Sequence, residues 1–266
     1  MIVRKSDREI DKIAAAGRIA ADTIAAVGEH IQPGVSTAEL DRIGEQFIRE
    51  HGGVPTSKGY RGFPCALCIS PNDMIVHGIP GEYIVQDGDL VTIDVGVTLD
   101  GYVADTAYTF GVGDVSSEAE RLLEVAQSAL AAGIDQAKVD NRIGDVSAAI
   151  QRVVEESGFA VVRALVGHGV GRAYHEDPQI PNYGTPGRGV RLQPGMTLAI
   201  EPMITAGGID IVVDDDQWSV YTADGSLSAH FEHTVAITES GPKVLTQARA
   251  AEERPPSGIF ARDGSA

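Results

Sequence analysis

The chain has 266 residues, of which 43% are hydrophobic and 22% charged, and this composition is ordinary for a soluble globular protein. It contains no run of about 18 apolar residues and no apolar signal core at its N-terminus, which argues against a membrane protein and favours a cytoplasmic one. The net charge of −17 repels phosphate backbones and argues against recognition of nucleic acid.

Two capped helices are predicted at the start of the chain. Ser6 with Glu9, and Ser36 with Glu39, each have the spacing of a capping box, which marks the first turn of a helix. Apolar residues recur with helical spacing after Ser6, and the pair at 33–34, Pro-Gly, predicts where that first helix stops.

The following segments alternate between strands and helices. Strands are predicted over residues 63–70, 90–97 and 102–110, and Asp100-Gly101 predicts a hairpin between the last two. Helices over 117–137 and 145–157 come next, and then strands over 161–166, 196–205, 218–222 and 230–238. Residues 1–247 are predicted to form a single domain. Residues 248–266 are rich in Pro, Gly, Glu and Arg, which predicts a flexible tail.

The order of two helices followed by strands occurs twice along the chain. The segments 86–94 and 193–201 align without a gap, and both end in a carboxylate, Asp94 in the first and Glu201 in the second. Two related α+β halves packed face to face would explain this repeat and would place a site between them.

Four acids lie in apolar strand segments, where carboxylates are rare unless they are paired, hydrogen-bonded or bound to metal: Asp94, Asp105, Glu201 and Glu232. Any one of them could instead face water at a sheet edge. Because four converging acids repel one another and no lysine or arginine accompanies them, two divalent cations would balance their charge. His168, in a glycine-rich segment, is the expected imidazole ligand, and the set suits Mn, Fe, Co or Zn.

Other features have less specific interpretations. Cys65 and Cys68 form a C-x-x-C pair without a second pair, so we interpret them as ordinary strand thiols. Three consecutive aspartates at 214–216 are interpreted as a solvated turn. His77 and His175 are candidates for catalysis, although a single histidine is more often a packed or surface residue.

Two further histidines, His230 and His233, flank Glu232, and their roles stay open. The chain has no H-E-x-x-H zinc motif and no G-x-S-x-G nucleophile motif.

Taken together, these motifs resemble those of the type I methionine aminopeptidases without an N-terminal zinc-binding extension, over residues 6–245. The segments that carry the resemblance lie at 72–80, 93–106, 167–178, 195–203 and 228–234. They include Asn-x4-His-Gly-Ile-Pro, Gly-His-Gly-x-Gly-x3-His-Glu-x-Pro and Ser-Ala-x2-Glu-His-Thr. The resemblance implies the pita-bread fold of two pseudo-symmetric halves, in agreement with the internal repeat.

The resemblance also implies a dinuclear centre of two divalent ions, which could be Co, Mn, Fe, Zn or Ni. Asp94 would bind the first ion, His168 and Glu201 the second, and Asp105 and Glu232 would bridge both. A hydroxide between the ions would attack the scissile carbonyl. Glu201 would also move the proton.

Substrate contacts follow from the same resemblance. His77 would contact the scissile amide nitrogen, and His175 would stabilise the developing oxyanion. The methionine pocket would consist of five side chains: Tyr60, Phe63, Cys68, Tyr174 and Trp218. Ser57 stands where many relatives have Cys, which is a departure within that pocket.

The implied function is removal of the initiator methionine from nascent polypeptides when the second residue is small. One alternative is a relative of the Xaa-Pro aminopeptidases, although these usually carry an extra N-terminal domain. Another is a non-catalytic pita-bread binding module, although such a copy should have lost metal ligands. The expected partners are new polypeptide N-termini, with a position near the ribosome, and the protein is expected to be a monomer.

Overall fold

The computed structural model describes residues 2–248 and contains an α+β fold. Its helices are α1 (Asp7–Gly28), α2 (Thr37–Glu50), α3 (Ser117–Gln136) and α4 (Ile143–Glu156), and Tyr60–Gly62 is a short 3₁₀ turn. The strands of the first half are β1 (Val54–Pro55), β2 (Cys68–Pro71), β3 (Met74–Val76), β4 (Leu90–Leu99) and β5 (Tyr102–Gly111). Those of the second half are β6 (Ala160–Val161), β7 (Val166–Gly169), β8 (Glu176–Pro181), β9 (Thr197–Ile200), β10 (Met203–Thr205), β11 (Ile211–Val213), β12 (Val220–Thr222), β13 (Ser228–His230), β14 (Glu232–Thr238) and β15 (Gly241–Val244).

Both predicted capping boxes start a helix. The backbone N–H and the hydroxyl of Ser6 donate to Glu9 Oε2 at 3.0 and 2.9 Å, and Ser36 Oγ accepts from the Glu39 N–H at 3.2 Å. The predicted end of α1 at 33–34 was wrong, because the helix stops at Gly28. Its last carbonyls are satisfied by tight turns before the proline, whose ring disfavours helix in the residue that precedes it.

A large antiparallel sheet runs through both halves, in the order β1-β4-β5-β14-β9-β7-β8, with β2 on β4 and β15 on β14. One apolar core lies between α1, α2 and the strands β4 and β5, and a second lies between α3, α4 and the strands β9 and β14. Since side chains alternate along a strand, Ile93 and Val95 point into the first core while Asp94 between them points to the opposite face.

The two halves meet where β5 pairs with β14. Main-chain pairing there covers only Glu232 with Ala107 and His233 with Thr106. Threonine side chains extend the contact, because Thr234 Oγ1 accepts from the Asp105 N–H at 2.9 Å and lies 2.8 Å from the Asp105 carbonyl, to which its hydroxyl donates. These bonds fix the backbone of two predicted metal ligands relative to each other.

The β4–β5 hairpin has the predicted two-residue turn, in which Asp100 and Gly101 both have positive φ, 49° and 77°. This register places Asp94 opposite Ala107, and Asp105 opposite Gly96. The two acids are therefore diagonal neighbours on one face of the sheet.

The strand predicted over 63–70 begins only at Cys68. Arg61 and Gly62 have positive φ and turn the chain, and the Asp41 carboxylate then accepts the N–H groups of Ala66 and Leu67 at 3.0 and 2.8 Å in place of a strand partner. Cys65 is accordingly not a strand residue, although both cysteines are free thiols as expected.

Two predicted strands of the second half are each divided in two. The segment 196–205 breaks at Glu201-Pro202, where proline has no N–H to continue the ladder, and 230–238 breaks at Phe231. Each segment changes from one sheet to the other at its break, and β10, β13 and β6 form a small separate sheet. The strand predicted over 161–166 is not continuous. Only its two ends are strand residues, in β6 and at the start of β7.

The structure also differs from the predicted boundaries elsewhere. The strand predicted over 218–222 begins at Val220, because the Asp216 carboxylate accepts the N–H groups of Trp218 and Ser219. Helix α4 begins at Ile143, two residues earlier than predicted. The strands β1, β3, β8, β11 and β15 were not predicted.

The internal repeat has a structural counterpart. Gly88 and Gly195 occupy matching places in the two aligned segments, and both have a left-handed backbone, with φ of 90° and 87°. Each precedes a strand that leads to an acid of the site. The single domain over 1–247 stays a prediction, and the tail predicted over 248–266 lies outside the described residues except for Ala248. Among the described residues, no helix is long and apolar enough to span a membrane.

Candidate metal centre

A cavity of about 270 Å³ opens on the face of the large sheet opposite the helices, and all twelve predicted site residues line it. The predicted ligands there are Asp94, Asp105, His168, Glu201 and Glu232, and the other predicted residues are Tyr60, Phe63, Cys68, His77, Tyr174, His175 and Trp218. The structure thus brings residues from both halves into one site.

Asp105, His168 and Glu232 are buried and form the tightest cluster. Each offers a ligand atom, and these atoms lie within 4.8 Å of one another. Glu201 follows β9 at the strand break, and its Oε1 lies 3.5 Å from His168 Nε2. The three strands β5, β9 and β14, together with β7, therefore converge on a volume suited to a cation.

Asp94 and Asp105 are diagonal neighbours on the sheet, and burial together with the charge of Asp94 raises the pKa of Asp105. Tyr174 covers this pair, with its hydroxyl 3.4 Å from Asp105 Oδ1 and 3.1 Å from Ser57 Oγ. The ring fits there because Gly96 has no side chain: a Cβ at that position would lie 2.5 Å from the tyrosine oxygen.

The four acids are costly to ionise in this arrangement. Burial raises the pKa of Asp94 to about 7, and burial together with the neighbouring carboxylates raises the pKa of Asp105, Glu201 and Glu232 well above the usual range. Within residues 2–248, no lysine or arginine forms an ion pair with any of them. The acids therefore lack compensating positive charge from the protein.

The residues present fit a divalent metal centre. Asp94 Oδ1 and Glu232 Oε1 are buried without a hydrogen-bond partner among the described residues, which is expensive for a carboxylate oxygen. Burial lowers the pKa of His168 to about 4, so its imidazole is neutral and free to ligate. Four carboxylates and one imidazole suit hard or borderline divalent ions.

His168 is oriented as metal-binding histidines usually are. Its Nδ1 lies 2.9 Å from the Gly169 carbonyl, so this nitrogen carries the proton and donates, which leaves Nε2 facing the acids. Gly167 lets the strand approach its neighbour, because a Cβ there would lie 2.5 Å from the Ala199 carbonyl oxygen. The glycines around His168 thus serve packing rather than phosphate binding.

His77 lies at the rim of the cavity with a left-handed backbone, φ 59°, which is uncommon for a residue with a side chain. Gly78 follows it against β2, where a Cβ would lie 2.1 Å from the Ile69 carbonyl oxygen. The ring of His77 meets the Trp218 ring edge-on, with the two ring centroids 6.3 Å apart. The turn that carries His77 is therefore held in place by close backbone contact.

His175 stacks on Tyr60, with ring centroids 5.3 Å apart, and lies 4.2 Å from the ring of His168. Desolvation lowers the pKa of His175 to about 3, and the neighbouring His168 contributes to this effect. A neutral ring beside the acid cluster can donate a hydrogen bond through one nitrogen.

The predicted methionine pocket is an aromatic wall next to the acids. Phe63 meets Trp218 edge-on at 5.2 Å, and Tyr60 meets Tyr174 in the same manner at 5.2 Å. Cys68 is opposite Asp94 in the β2–β4 register, and burial raises the pKa of its thiol well above the usual value, so it stays neutral.

Several residues of the site were not predicted from the sequence. Arg61, Val76, Ala164, Leu165, Val166 and Met203 also line the cavity. Met203 lies in segment 195–203, which carries the resemblance and could have indicated it; no motif marked the others as site residues. The two histidines whose roles the sequence left undecided have different surroundings. His233 Nδ1 lies 2.8 Å from Thr246 Oγ1, whereas His230 Nε2 lies 3.8 Å from Glu201 Oε2.

The aspartates at 214–216 are exposed and form the predicted solvated turn. Asp216 accepts the hydroxyl of Ser219 at 2.6 Å, as well as the backbone N–H groups that end the turn. The run is therefore explained by local turn geometry, away from the cavity.

Comparison with known proteins gives a consistent result. Residues 11–239 match the family model of metallopeptidase family M24. The chain is 52% identical to a methionine aminopeptidase of Clostridium perfringens over 246 residues, which cover 92% of this chain and 99% of that protein. It is 50% identical to methionine aminopeptidase 1 of Bacillus subtilis over 247 residues, which cover 93% of this chain and all of that protein.

Solved structures agree with the sequence relatives. The crystal structure of a methionine aminopeptidase from Thermotoga maritima superposes with a TM-score of 0.92 at 44% identity, covering 93% of this chain and 100% of that one. A prolidase from Pyrococcus furiosus superposes less closely, with a TM-score of 0.74 at 25% identity, covering 93% of this chain and 66% of that one.

Proposed function

Since the chain belongs to the methionine aminopeptidases of metallopeptidase family M24, we propose that its site holds two divalent ions and removes methionine from new polypeptides whose second residue is small. Asp94 would hold the first ion, His168 and Glu201 the second, and Asp105 and Glu232 would contact both. When bound, such ions supply Lewis acidity and lower the pKa of water at the site.

The observation that carries this proposal is the set of four buried or largely buried acids that form no ion pair with a lysine or arginine of residues 2–248. Folding them together without metal requires that several stay protonated, which is a poor state for a site that works near neutral pH. Two divalent ions balance four carboxylates, whereas one ion leaves a net charge of −2 in a buried volume.

The protein's own groups have separate tasks in the reaction. Glu201 would accept a proton from the nucleophile and deliver it to the leaving amine, since it lies at the strand break facing His168. His175 would donate a hydrogen bond to the carbonyl oxygen as negative charge develops on it, and its neutral state suits a donor. His77 would contact the nitrogen of the scissile amide.

The aromatic wall would bind the methionine side chain. Tyr60, Phe63, Tyr174 and Trp218 offer ring edges and faces, and thioether sulfur makes favourable contacts with aromatic rings. The cavity, about 270 Å³, is small and supports binding of one side chain with little room for a bulky second residue.

A metal-depletion experiment tests this function. The protein is stripped with chelator, and Met-Ala-Ser is then offered with and without Mn(II) or Co(II), while bound metal is counted by calorimetry. We expect no cleavage without metal, recovery with it, and two binding events per chain. Full activity in chelator would contradict metal catalysis, and a single binding event would contradict the dinuclear site.

The Xaa-Pro aminopeptidase alternative and the non-catalytic binding module are not favoured. The prolidase is less similar in sequence and fold than the methionine aminopeptidase, and the five candidate ligands are all present in the cavity. Met-Ala-Ser compared with Ala-Pro-Ala as substrates separates the two peptidase activities. We further propose that the protein acts as a cytoplasmic monomer on polypeptides near the ribosome, a placement that its charge of −17 does not itself favour.

A further inference from the structure

His230 is a buried imidazole that neither the core nor the proposed reaction uses. Its exposed fraction is 1%, and both ring nitrogens lack a hydrogen-bond partner among the described residues. Its backbone is fixed by Thr109, whose Oγ1 accepts the His230 N–H at 2.9 Å and whose hydroxyl donates to the His230 carbonyl at 2.8 Å. The main chain, and not any bond of the ring, therefore sets where this side chain lies.

A proposed metal ligand lies close to this ring. His230 Nε2 lies 3.8 Å from Glu201 Oε2, while His168 Nε2 lies 3.5 Å from the other oxygen, Glu201 Oε1. The Glu201 carboxylate is thus flanked by an imidazole on each side. An approach of roughly 0.8 Å would bring the His230 nitrogen to the usual N–H···O distance of about 3.0 Å.

A buried imidazole without a hydrogen-bond partner lowers the stability of the folded protein. An unsatisfied polar group in a buried position destabilises the fold, whereas an apolar side chain of similar size would incur no such cost. His233, three residues later, is also deeply placed but has Thr246 as a partner at 2.8 Å. The contrast indicates that His230 is retained for something other than packing.

We propose that His230 is a positioning residue for Glu201. Its neutral ring donates the Nε2–H to Glu201 Oε2 and holds the carboxylate so that Oε1 stays directed at the metal site. A neutral imidazole has one N–H to donate, and the proposal places it on Nε2, the nitrogen nearest Glu201 in this arrangement. The inference rests on the proposed function, because it takes Glu201 to be a metal ligand.

Two substitutions test the role of the donor. His230→Met removes it at similar volume, and His230→Gln keeps a side-chain N–H without an imidazole. Mn(II) affinity is measured by calorimetry on metal-free protein. We expect His230→Met to weaken Mn(II) binding by about tenfold or more and His230→Gln to stay within about threefold of the wild type, because partners behind a ligand tune affinity by about 10–100-fold. Turnover of Met-Ala-Ser should fall in the first variant mainly in kcat.

Thermal unfolding of the metal-free proteins separates positioning from a purely structural role. His230→Met should have an equal or higher Tm than the wild type, since it replaces an unpartnered polar group by an apolar one. His233→Met is the matched control, because it also replaces a deeply placed histidine and should leave Mn(II) affinity unchanged.

Either of two results would overturn the proposal. Unchanged Mn(II) affinity in His230→Met would show that His230 does not position Glu201. A lower Tm of the same variant would then show that the ring serves packing. Equal loss in the Gln and Met variants would show that the imidazole itself, and not a donated N–H, is needed. A wild type that binds no Mn(II) would instead contradict the proposed function.

Discussion

At the scale of single residues, folding and chemistry make opposite demands on the acids of the site. Asp94 folds most easily as a protonated carboxyl, because burial raises its pKa from 3.8 to about 7. Metal binding requires the ionised form. The metal-free and metal-loaded proteins should therefore respond to pH in different ways.

We expect the ionisation of Asp94 to destabilise the metal-free protein as the pH rises. A carboxyl with a raised pKa binds more protons in the folded state, so its contribution is complete below pH 3.8 and is lost as the pH rises through about 7. For Asp94 alone the loss is on the order of 4 kcal/mol, since each pKa unit is worth about 1.4 kcal/mol. Denaturant unfolding of chelated protein at pH 5 and pH 7.5 measures the part of this loss that falls between pH 5 and about 7, which is on the order of 3 kcal/mol.

Asp94→Asn is the control for this pH dependence. The amide cannot ionise, so metal-free Asp94→Asn should be more stable than the metal-free wild type at pH 7.5 and should show a shallower slope. Mn(II) should stabilise the wild type at pH 7.5 and the variant much less. An equal change of stability between pH 5 and pH 7.5 in the chelated wild type and in chelated Asp94→Asn would contradict the account.

The candidate ligands could be proposed from the sequence because a carboxylate between apolar strand residues has few other uses. Asp105 and Glu232 illustrate this, since each lies in a strand whose neighbouring positions are buried. His230 was not predictable in the same way. It is two residues from Glu232, yet its ring faces Glu201, because the chain changes sheets at Phe231. Only the three-dimensional break shows that contact.

At the scale of elements, the turn that carries Tyr174 and His175 is held by one acid. Glu176 Oε1 accepts the N–H groups of Arg172 and Ala173 at 2.8 and 3.1 Å, and Glu176 Oε2 accepts from Lys5 Nζ at 2.6 Å. The Lys5 side chain is only 2% exposed. A residue just before α1 thus fixes the turn of a candidate catalytic histidine.

Lys5→Met should loosen this turn and destabilise the fold. The substitution leaves the half-buried Glu176 carboxylate without its cation, and breaking a buried pair costs about 3–5 kcal/mol. We expect a lower Tm and a lower kcat for Met-Ala-Ser, with a smaller change in KM. Thermal unfolding and steady-state kinetics measure the two effects.

Arg191→Met is the matched control for an ion pair at the surface. Arg191 lies 2.7 Å from Asp140, but the two side chains are 56% and 70% exposed, so its removal should change little. If both variants behaved alike, the buried pair would have no special role in holding the turn.

The boundaries of elements were predicted well at caps and poorly at breaks. The capping boxes at Ser6 and Ser36 act over three residues, so local sequence contains the whole signal. The break at Glu201-Pro202 depends on which sheet each side of the proline joins, and the late start of β2 depends on Asp41, which lies 25 residues before its partner Ala66. Such distant partners are not visible in a local pattern.

At the scale of the whole molecule, the chain has a net charge of −17, and its substrates carry a positively charged N-terminus. A field of this sign raises the local concentration of positively charged substrates and is screened by salt. The effect acts on encounter rather than on the chemical step, so it should appear in kcat/KM.

Two peptides of equal length make this measurable. We expect Met-Ala-Lys-Lys to be cleaved with a higher kcat/KM than Met-Ala-Glu-Glu at about 10 mM salt, and the ratio to approach one near 0.5 M, where the Debye length is only a few ångströms. A ratio that does not change with salt would assign the preference to direct contacts in the cavity instead of to the overall field.

The two-half architecture was anticipated by nine residues on each side, 86–94 and 193–201, whose glycines adopt the same backbone conformation. The repeat could not predict how the halves join. That depends on β5 meeting β14, strands more than 100 residues apart in the chain, and on threonine side chains such as Thr234 that connect them.

The join between β5 and β14 also sets an order of events during synthesis. Asp105 lies in the first half of the chain and Glu232 near the end of the second, so a growing copy that stops short of β14 has only part of the ligand set. An amino-terminal fragment that ends before β14 lacks Glu232 and should not hydrolyse a peptide. We therefore expect activity only once nearly all of the chain has been made, and truncated products of interrupted translation should be inactive.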